Sequence, residues 1–536
     1  MARRGNRHSK KRSRRSGSSA ARRTASTLPP QLQPLVAQAE QLRAAGRNAL
    51  AVPIYQKIIK QAPDYPPTHM ALAECLIKLN HFDDGIKAAR LACNLAPNDL
   101  TFKTNLAEFL LFIGRAEDAK SRSRSILKLE PANHRAALIL AQALEKLHQY
   151  DDALEVTNNL LTQSPGEHFA RILNARLLRR TRNYKQAVSN LRNFRTDPSI
   201  PPHLRQFATH ELAMSLDQLA EYDEAFRTFT EYGRLAASSP AFKSLDKTTW
   251  PREISAYESR ISPQFLDACR TKLKVEDHLS SLVFLVGFPR SGTTMTEQIL
   301  AAHPKIITTD EKPFLNAVKS EIIRNAGKPE PIADLFQTIT PRLITKLRKT
   351  YWDQVISQVG PVHPTQTFID KLPLNIIDLP LINIIFPDSK IIVALRDPRD
   401  VCISCFMQDF GLNEAMIHFL TLEGTASFYA KVMGFYLQSR SALSLERLQI
   451  RYEDTVADLE SQARYILSYL NLDWNENLLR FHELAKARAI STPSFAAVTE
   501  PVHNRAVHRW KNYQSHFTSL LPILQPFITE FGYDEN

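Results

Sequence analysis

The sequence predicts two architectures in one chain: an all-α array of about six helical repeats, followed by an α/β domain with a mostly parallel sheet. Three observations predict this. Prolines recur at 63, 97, 131 and 165, each 34 residues from the last. Small residues keep the same period in two columns, one at Ala39, Ala73, Ala107, Ala141 and Ala175, the other at Ala51, Gly85, Ala119, Ala153 and Ala187. After about residue 240 the period stops, and the apolar run Leu282–Val286 enters a glycine-bearing loop and then a helical stretch. A chain of 536 residues is also too long for a single core.

The repeat columns have a physical reason. Two amphipathic helices per unit need small side chains where they cross closely. An aromatic often stands three residues before the second column, at Phe82, Tyr150, Tyr184 and Tyr222, where it is expected to fill a neighbouring groove. Proline closes the second helix because it cannot continue one. A sixth unit, with Ala213 and Ala225, is displaced by four residues by a longer loop around Pro198–Pro202. The pattern resembles tetratricopeptide repeats, whose period is 34. One repeat cannot bury its face alone, so the units are expected to stack into a solenoid over 30–240, with a helical linker at 241–280 and the second domain at 281–536. The solenoid is a candidate holder of a protein or peptide, or a support for its neighbour.

Residues 1–29 form a basic tail. Residues 1–39 hold ten Lys or Arg and no acid, and the whole chain carries +13, so the remainder is near +3. Such a segment is expected to be disordered, with at most a weak contact to nucleic acid. No apolar segment of eighteen residues and no signal-peptide core occur, which sets the expectation of a cytoplasmic protein without a transmembrane segment. Five cysteines, an odd and sparse set, fit a reducing compartment. Cys402 and Cys405 form a C-x-x-C but lack a second pair or a His cluster, which argues against a zinc site.

In the second domain, strands are expected near 282–286, 367–370, 390–395 and 448–451, with helices between them. Gly287-Phe-Pro-Arg-Ser-Gly-Thr-Thr294 then reads as a phosphate cradle, because backbone N–H groups and a helix N-terminus face an anion together. Gly292 lets the backbone approach closely, and Ser291, Thr293 and Thr294 add hydroxyls. The spacing matches that of a nucleotide-hydrolase loop, but Thr293 stands where its lysine belongs. Arg290 supplies a cation within the loop instead.

Further segments join this loop: Phe368-Ile-Asp-Lys-Leu-Pro-Leu-Asn375, the strand-to-helix stretch Ser389–Asp400 running on to Ser404, Arg451-Tyr-Glu-Asp454, and Pro501–Tyr513. Together they resemble the sulfotransferases, most closely the branch with tyrosylprotein sulfotransferases and bacterial repeat-bearing sulfotransferases. The resemblance implies a P-loop-like sheet arrangement, 3′-phosphoadenosine 5′-phosphosulfate as co-substrate, and no metal. It implies that Pro289, Arg290, Ser291, Gly292, Thr293 and Thr294 hold the 5′-phosphosulfate. Arg396 and Ser404 would hold the 3′-phosphate, with Tyr452 and Arg505 nearby. It further implies Glu311 as the base that takes the acceptor proton, with Asp310 the alternative, and Lys371 with Arg290 as the cations at the leaving phosphate. The chain departs from relatives at Thr308-Thr-Asp310, where a glycine is usual, and at Ala506 and His508, where a serine is usual.

Read from residues alone, alternatives stand. Arg396 has Asp397 and Asp400 as structural partners within reach in sequence, and Lys371 has Asp370. The activity expected is sulfuryl transfer to a hydroxyl acceptor, tyrosine on a protein or peptide first, then carbohydrate, lipid or small molecule. The rivals are a nucleotide-dependent kinase or hydrolase and a non-catalytic repeat scaffold.

Overall fold

The computed structural model describes residues 28–195, 197–273, 281–486 and 499–533. The expected basic tail lies almost wholly outside them. The chain divides into two compact units, residues 1–177 and 178–536.

In the first unit eight helices run from Gln33 to Gln163, paired as the repeat columns require. Ala39, Ala73, Ala107 and Ala141 are fully buried, as are Ala51, Ala119 and Ala153. A Cβ on Gly85 would lie 2.8 Å from the Ile77 side chain, so an alanine here would require Ile77 to shift. Helices end at Gln61, Leu95, Leu129 and Gln163, two residues before each repeat proline. Phe82 departs from the expected groove-filling role: it is 37% exposed. A further column closes the first helix of each repeat: Gly46, Asn80, Gly114 and His148 all take left-handed φ, 34 residues apart. The bend, not the residue type, is what repeats, and side chains other than glycine accept its strain.

In the second unit the same bend recurs at Arg182 and Ala220. The hairpin of helices Pro202–Gln218 and Tyr222–Ala237 completes the repeat pattern, and short helices Pro240–Lys243, Thr249–Arg260 and Pro263–Lys272 follow. A five-stranded sheet comes next: β1 Ser281–Gly287, β2 Ile306–Thr308, β3 Thr367–Lys371, β4 Lys390–Leu395 and β5 Glu446–Arg451. Its order is β2-β3-β1-β4-β5 and every pairing is parallel. Helices cover both faces, which is why the strands read as unbroken apolar runs rather than alternating ones. Val283 and Leu285 face a cluster with Ile299 and Ile466, whereas Phe284 points the other way, against Tyr351 and Phe386. Four strands lie where the sequence places them. β2 has only three residues, too few to show a period.

This order sets where a ligand can sit. From β1 the chain moves to one side of the sheet, through β2 and β3, and then crosses to the other side for β4 and β5. The loops after β1 and β4 therefore diverge and open a crevice at the strands' C-terminal ends, the usual ligand position in such sheets.

Candidate functional site

Register explains the meeting of residues far apart in sequence. Gly287 at the end of β1 pairs with Ala394 of β4, Leu285 pairs with Lys371 of β3, and Leu395 pairs with Arg451 of β5. The loop 288–292, Lys371, Arg396 and Tyr452 therefore all leave the sheet at one edge. They border or back a cavity of about 420 Å³, within the range of small-molecule sites. Pro289, Arg290, Gly292, Thr293, Thr294, Glu311, Arg396 and Tyr452 line it.

The loop is built for close approach. Gly292 sits at φ +94 at the start of helix Thr293–Ala301, and a Cβ there would lie 2.8 Å from the Tyr452 ring. No side chain caps this helix, so its first N–H groups stay available at the cavity end. Ser291 is buried beside the loop but does not line the cavity.

Arg290 Nε donates to Ser404 Oγ at 3.0 Å, and Arg396 Nη1 donates to the Arg290 carbonyl at 3.1 Å. Burial, together with the positive charges of Arg396 and Arg509, brings the Arg290 guanidinium down to about 10. Ser404 thus orients Arg290 from behind and is not a cavity-lining residue. Arg396 lies 4.9 Å from the Tyr452 ring centre, and its Nε is buried without a hydrogen-bond partner among the described residues. Asn375 Nδ2, on another wall, is in the same state. Buried donors left open in this way favour a ligand rich in acceptors, such as a phosphate. Asp400 stands 3.8 Å from Arg396, a loose contact, and Asp397 pairs with Arg399 instead.

Asp370 and Lys371 are adjacent on β3 and so point to opposite faces. Asp370 accepts from Tyr351 Oη at 2.7 Å, and burial lifts its carboxyl to about 7. Lys371, wholly buried, pairs with Glu311 Oε1 at 2.9 Å and Glu297 Oε2 at 3.0 Å. Asp370 is therefore not the partner of Lys371. Asp310 is farther off, at 4.0 Å, and Glu311 rather than Asp310 lines the cavity. The two acids hold the ammonium in its charged form against burial, whereas burial raises the Glu297 carboxyl despite the lysine beside it.

Arg505, unlike Ser291 and Ser404, also lies out at the surface. Its guanidinium pairs with Glu500, is 57% exposed and does not line the cavity, although its neighbours His503 and Ala506 do. A nearby acid on its own turn captures it. Sequence reasoning missed Glu297. The signal was there: it follows Thr293 by four residues, one helical turn, and so lies on the loop side of its helix. Cys402 and Cys405 are fully buried on helix Pro398–Phe406, with Cys405 Sγ 3.3 Å from the Pro289 carbonyl.

Backbone strain falls in the same place. Eight residues other than glycine take left-handed φ among the described residues. Four close repeat bends and Asn471 ends a helix; the other three are Arg290, Glu311 and His508. Strain of this kind, about 1–3 kcal/mol per residue, persists where surrounding structure enforces it.

Comparison with known proteins decides the domain's kinship: residues 282–476 match the sulfotransferase family. They form a sulfotransferase-family domain. Residues 42–100 and 105–168 match two tetratricopeptide repeat families. The chain is 26% identical over 348 residues to an uncharacterized protein of Aquifex aeolicus, covering 62% of this chain and 43% of that one, less than half of the relative's length. It is 25% identical over 262 residues to protein-tyrosine sulfotransferase 1 of Danio rerio, covering 47% of this chain and 72% of that one. A solved tetratricopeptide repeat protein from Parabacteroides merdae aligns with 40% of this chain and 82% of its own, at 13% identity and a TM-score of 0.35. The sulfotransferase domain thus includes the loop, Glu311, Lys371, Arg396, Ser404 and Tyr452, while Pro501–Tyr513 lies beyond the matched segment. No helix among the described residues is long and apolar enough to cross a membrane.

Proposed function

We propose that this chain moves a sulfuryl group from 3′-phosphoadenosine 5′-phosphosulfate to a hydroxyl acceptor, with Glu311 as the base. One observation carries this reading: the carboxylate of Glu311, paired with buried Lys371, faces the cavity that Arg290 and Arg396 line together. The donor supplies the sulfuryl group and departs as adenosine 3′,5′-bisphosphate.

The chain's own groups divide the work. Arg290 and the amides before and within helix Thr293–Ala301 take the 5′ end, and Arg396 takes the 3′-phosphate, with its guanidinium stacked on Tyr452. The acceptor oxygen forms its bond to sulfur as the sulfur–oxygen bond to the 5′-phosphate breaks, and Glu311 receives the acceptor proton. Lys371 holds Glu311 through their 2.9 Å ion pair, at the edge of the cavity where that proton is released. With Arg290 it is also assigned to the charge left on the departing phosphate, where a preorganised cation is worth several kcal/mol. Positioning and charge do this chemistry, as in phosphoryl transfer.

For the acceptor we propose a tyrosine on a protein or peptide, a reading supported by relatives named protein-tyrosine sulfotransferases and by repeats of a class that holds polypeptides. The test is incubation of the full chain with sulfuryl-labelled donor and a panel of tyrosine peptides, glycans and lipids. Label on tyrosine is the expected result. Label on another hydroxyl would replace the acceptor but keep the reaction, and no transfer with any acceptor would defeat the reaction itself.

A further inference from the structure

The helical hairpin Pro202–Ala237 reads in sequence as the last unit of the repeat array, yet its buried face carries charge. Asp217 is the next-to-last residue of helix Pro202–Gln218 and is only 6% exposed. A carboxylate in the last turn of a helix meets the negative end of the helix dipole, so local energetics disfavour it there. Tertiary partners explain its place. Asp217 accepts from Arg509 Nη2 at 2.6 Å and from Tyr513 Oη at 2.7 Å, and Gln218 Nε2 donates to it at 3.0 Å.

Arg509 belongs to a tight turn. His508, just before it, takes φ +56. The backbone N–H groups of His508 and Trp510 both donate to Asp400, each at 2.8 Å, and the Trp510 ring lies 3.9 Å from the Arg399 guanidinium. The same turn presents the Ala506 carbonyl to Arg396 Nη2. One chain of contacts therefore runs from Asp217 through Arg509 and the 506–510 turn to the cation on the cavity wall.

The hairpin also braces the opposite wall. His210 Nε2 lies 3.0 Å from the Met407 carbonyl oxygen, and a Cβ on Gly233 would fall 2.0 Å from the Leu420 carbonyl oxygen. Both flank the stretch holding Phe410 and Met416, which line the cavity.

We infer that this last repeat hairpin is a structural part of the donor site, and that Asp217 is a positioning residue that fixes Arg396 through Arg509 and the 506–510 turn. The inference rests on the proposed reading of Arg396 as a phosphate ligand. Electrostatics and positioning make opposite forecasts, which makes the idea testable. Removing the Asp217 charge leaves Arg290, Arg396 and Arg509 less neutralised, so charge alone would tighten an anion. Losing the anchor of the turn weakens it.

The experiment is calorimetric titration of the full chain with adenosine 3′,5′-bisphosphate, alongside thermal melts. Asp217→Ala should bind about tenfold more weakly, the scale of one lost hydrogen-bonded link. The double variant Asp217→Leu/Arg509→Met fills the same space without an unpaired charge, so it keeps the measurement possible if the single variant does not fold. It should show a similar loss. A folded variant that melts lower but binds as well as the parent, or more tightly, would overturn the inference alone. No binding by the unaltered chain would overturn the donor reading, and this inference with it.

Discussion

The repeat helices and the sheet's C-terminal edge bury very different things. In the first unit the buried positions that define the pattern are alanines and, at 85, a glycine, recurring every 34 residues. At the sheet edge the buried positions include Glu297, Asp370, Lys371, Arg396, Arg399 and Asp400, none repeated and each with its own partner. An alanine column is redundant: a fault in one crossing stays local, and its cost follows volume. A buried charge is not redundant, because losing one partner strands the other in a medium that cannot solvate it. Periodic packing therefore makes the array, and singular pairings make the cavity.

The sharpest way to separate the two regions is through turnover. Glu311→Ala should lower kcat by about 10²–10⁴-fold, the range for a lost general base, with donor affinity within about threefold. Steady-state kinetics and a bisphosphate titration check both halves, and unchanged turnover would remove Glu311 from the chemistry. Next in size is Lys371→Met, which leaves Glu297 and Glu311 facing each other without their cation. It should cost about 3–5 kcal/mol in denaturant unfolding, and Lys371→Met/Glu297→Leu should recover part of that loss. Smaller still, Ala107→Leu overfills a repeat crossing and should cost about 1–3 kcal/mol with kcat unchanged. A fall in kcat of the folded variant would break the contrast drawn here.

A further effect is one of pH. Burial lifts the Asp370 carboxyl from 3.8 to about 7. Across that window the folded chain keeps a proton that the unfolded chain has released, so this group lowers stability as pH rises. Asp370→Asn removes that slope, and its melting temperature should gain on the parent from pH 4 towards pH 7.

The same contrast explains what the sequence reveals. The solenoid is legible because packing repeats: Ala39, Ala73, Ala107 and Ala141 can be counted before any coordinate is seen. The parallel sheet is legible because strands covered on both faces read as apolar runs. β2 is not, since three residues cannot display a period. Within the site, the loop residues and Arg396 stand at strand ends, where motif spacing points to them. Glu297 and Asp217 escape notice because an acid on an amphipathic helix reads as solvated surface. Only the sheet register and the 506–510 turn show what each one meets. Arg505 fails in the opposite way: an arginine at a plausible spacing is captured by Glu500 on its own turn, an outcome that spacing cannot show. That Asp370 is not the partner of Lys371 follows from strand alternation and could have been read in advance.

The account depends on one cavity serving two separated phosphate groups. Its most direct test is titration of the full chain with adenosine 3′,5′-bisphosphate in buffer free of magnesium. The account predicts one-to-one binding, weakened by roughly 1.5–3 kcal/mol in Arg396→Ala, the scale of a charged hydrogen bond. No binding, or equal binding by the parent chain and Arg396→Ala, would contradict it.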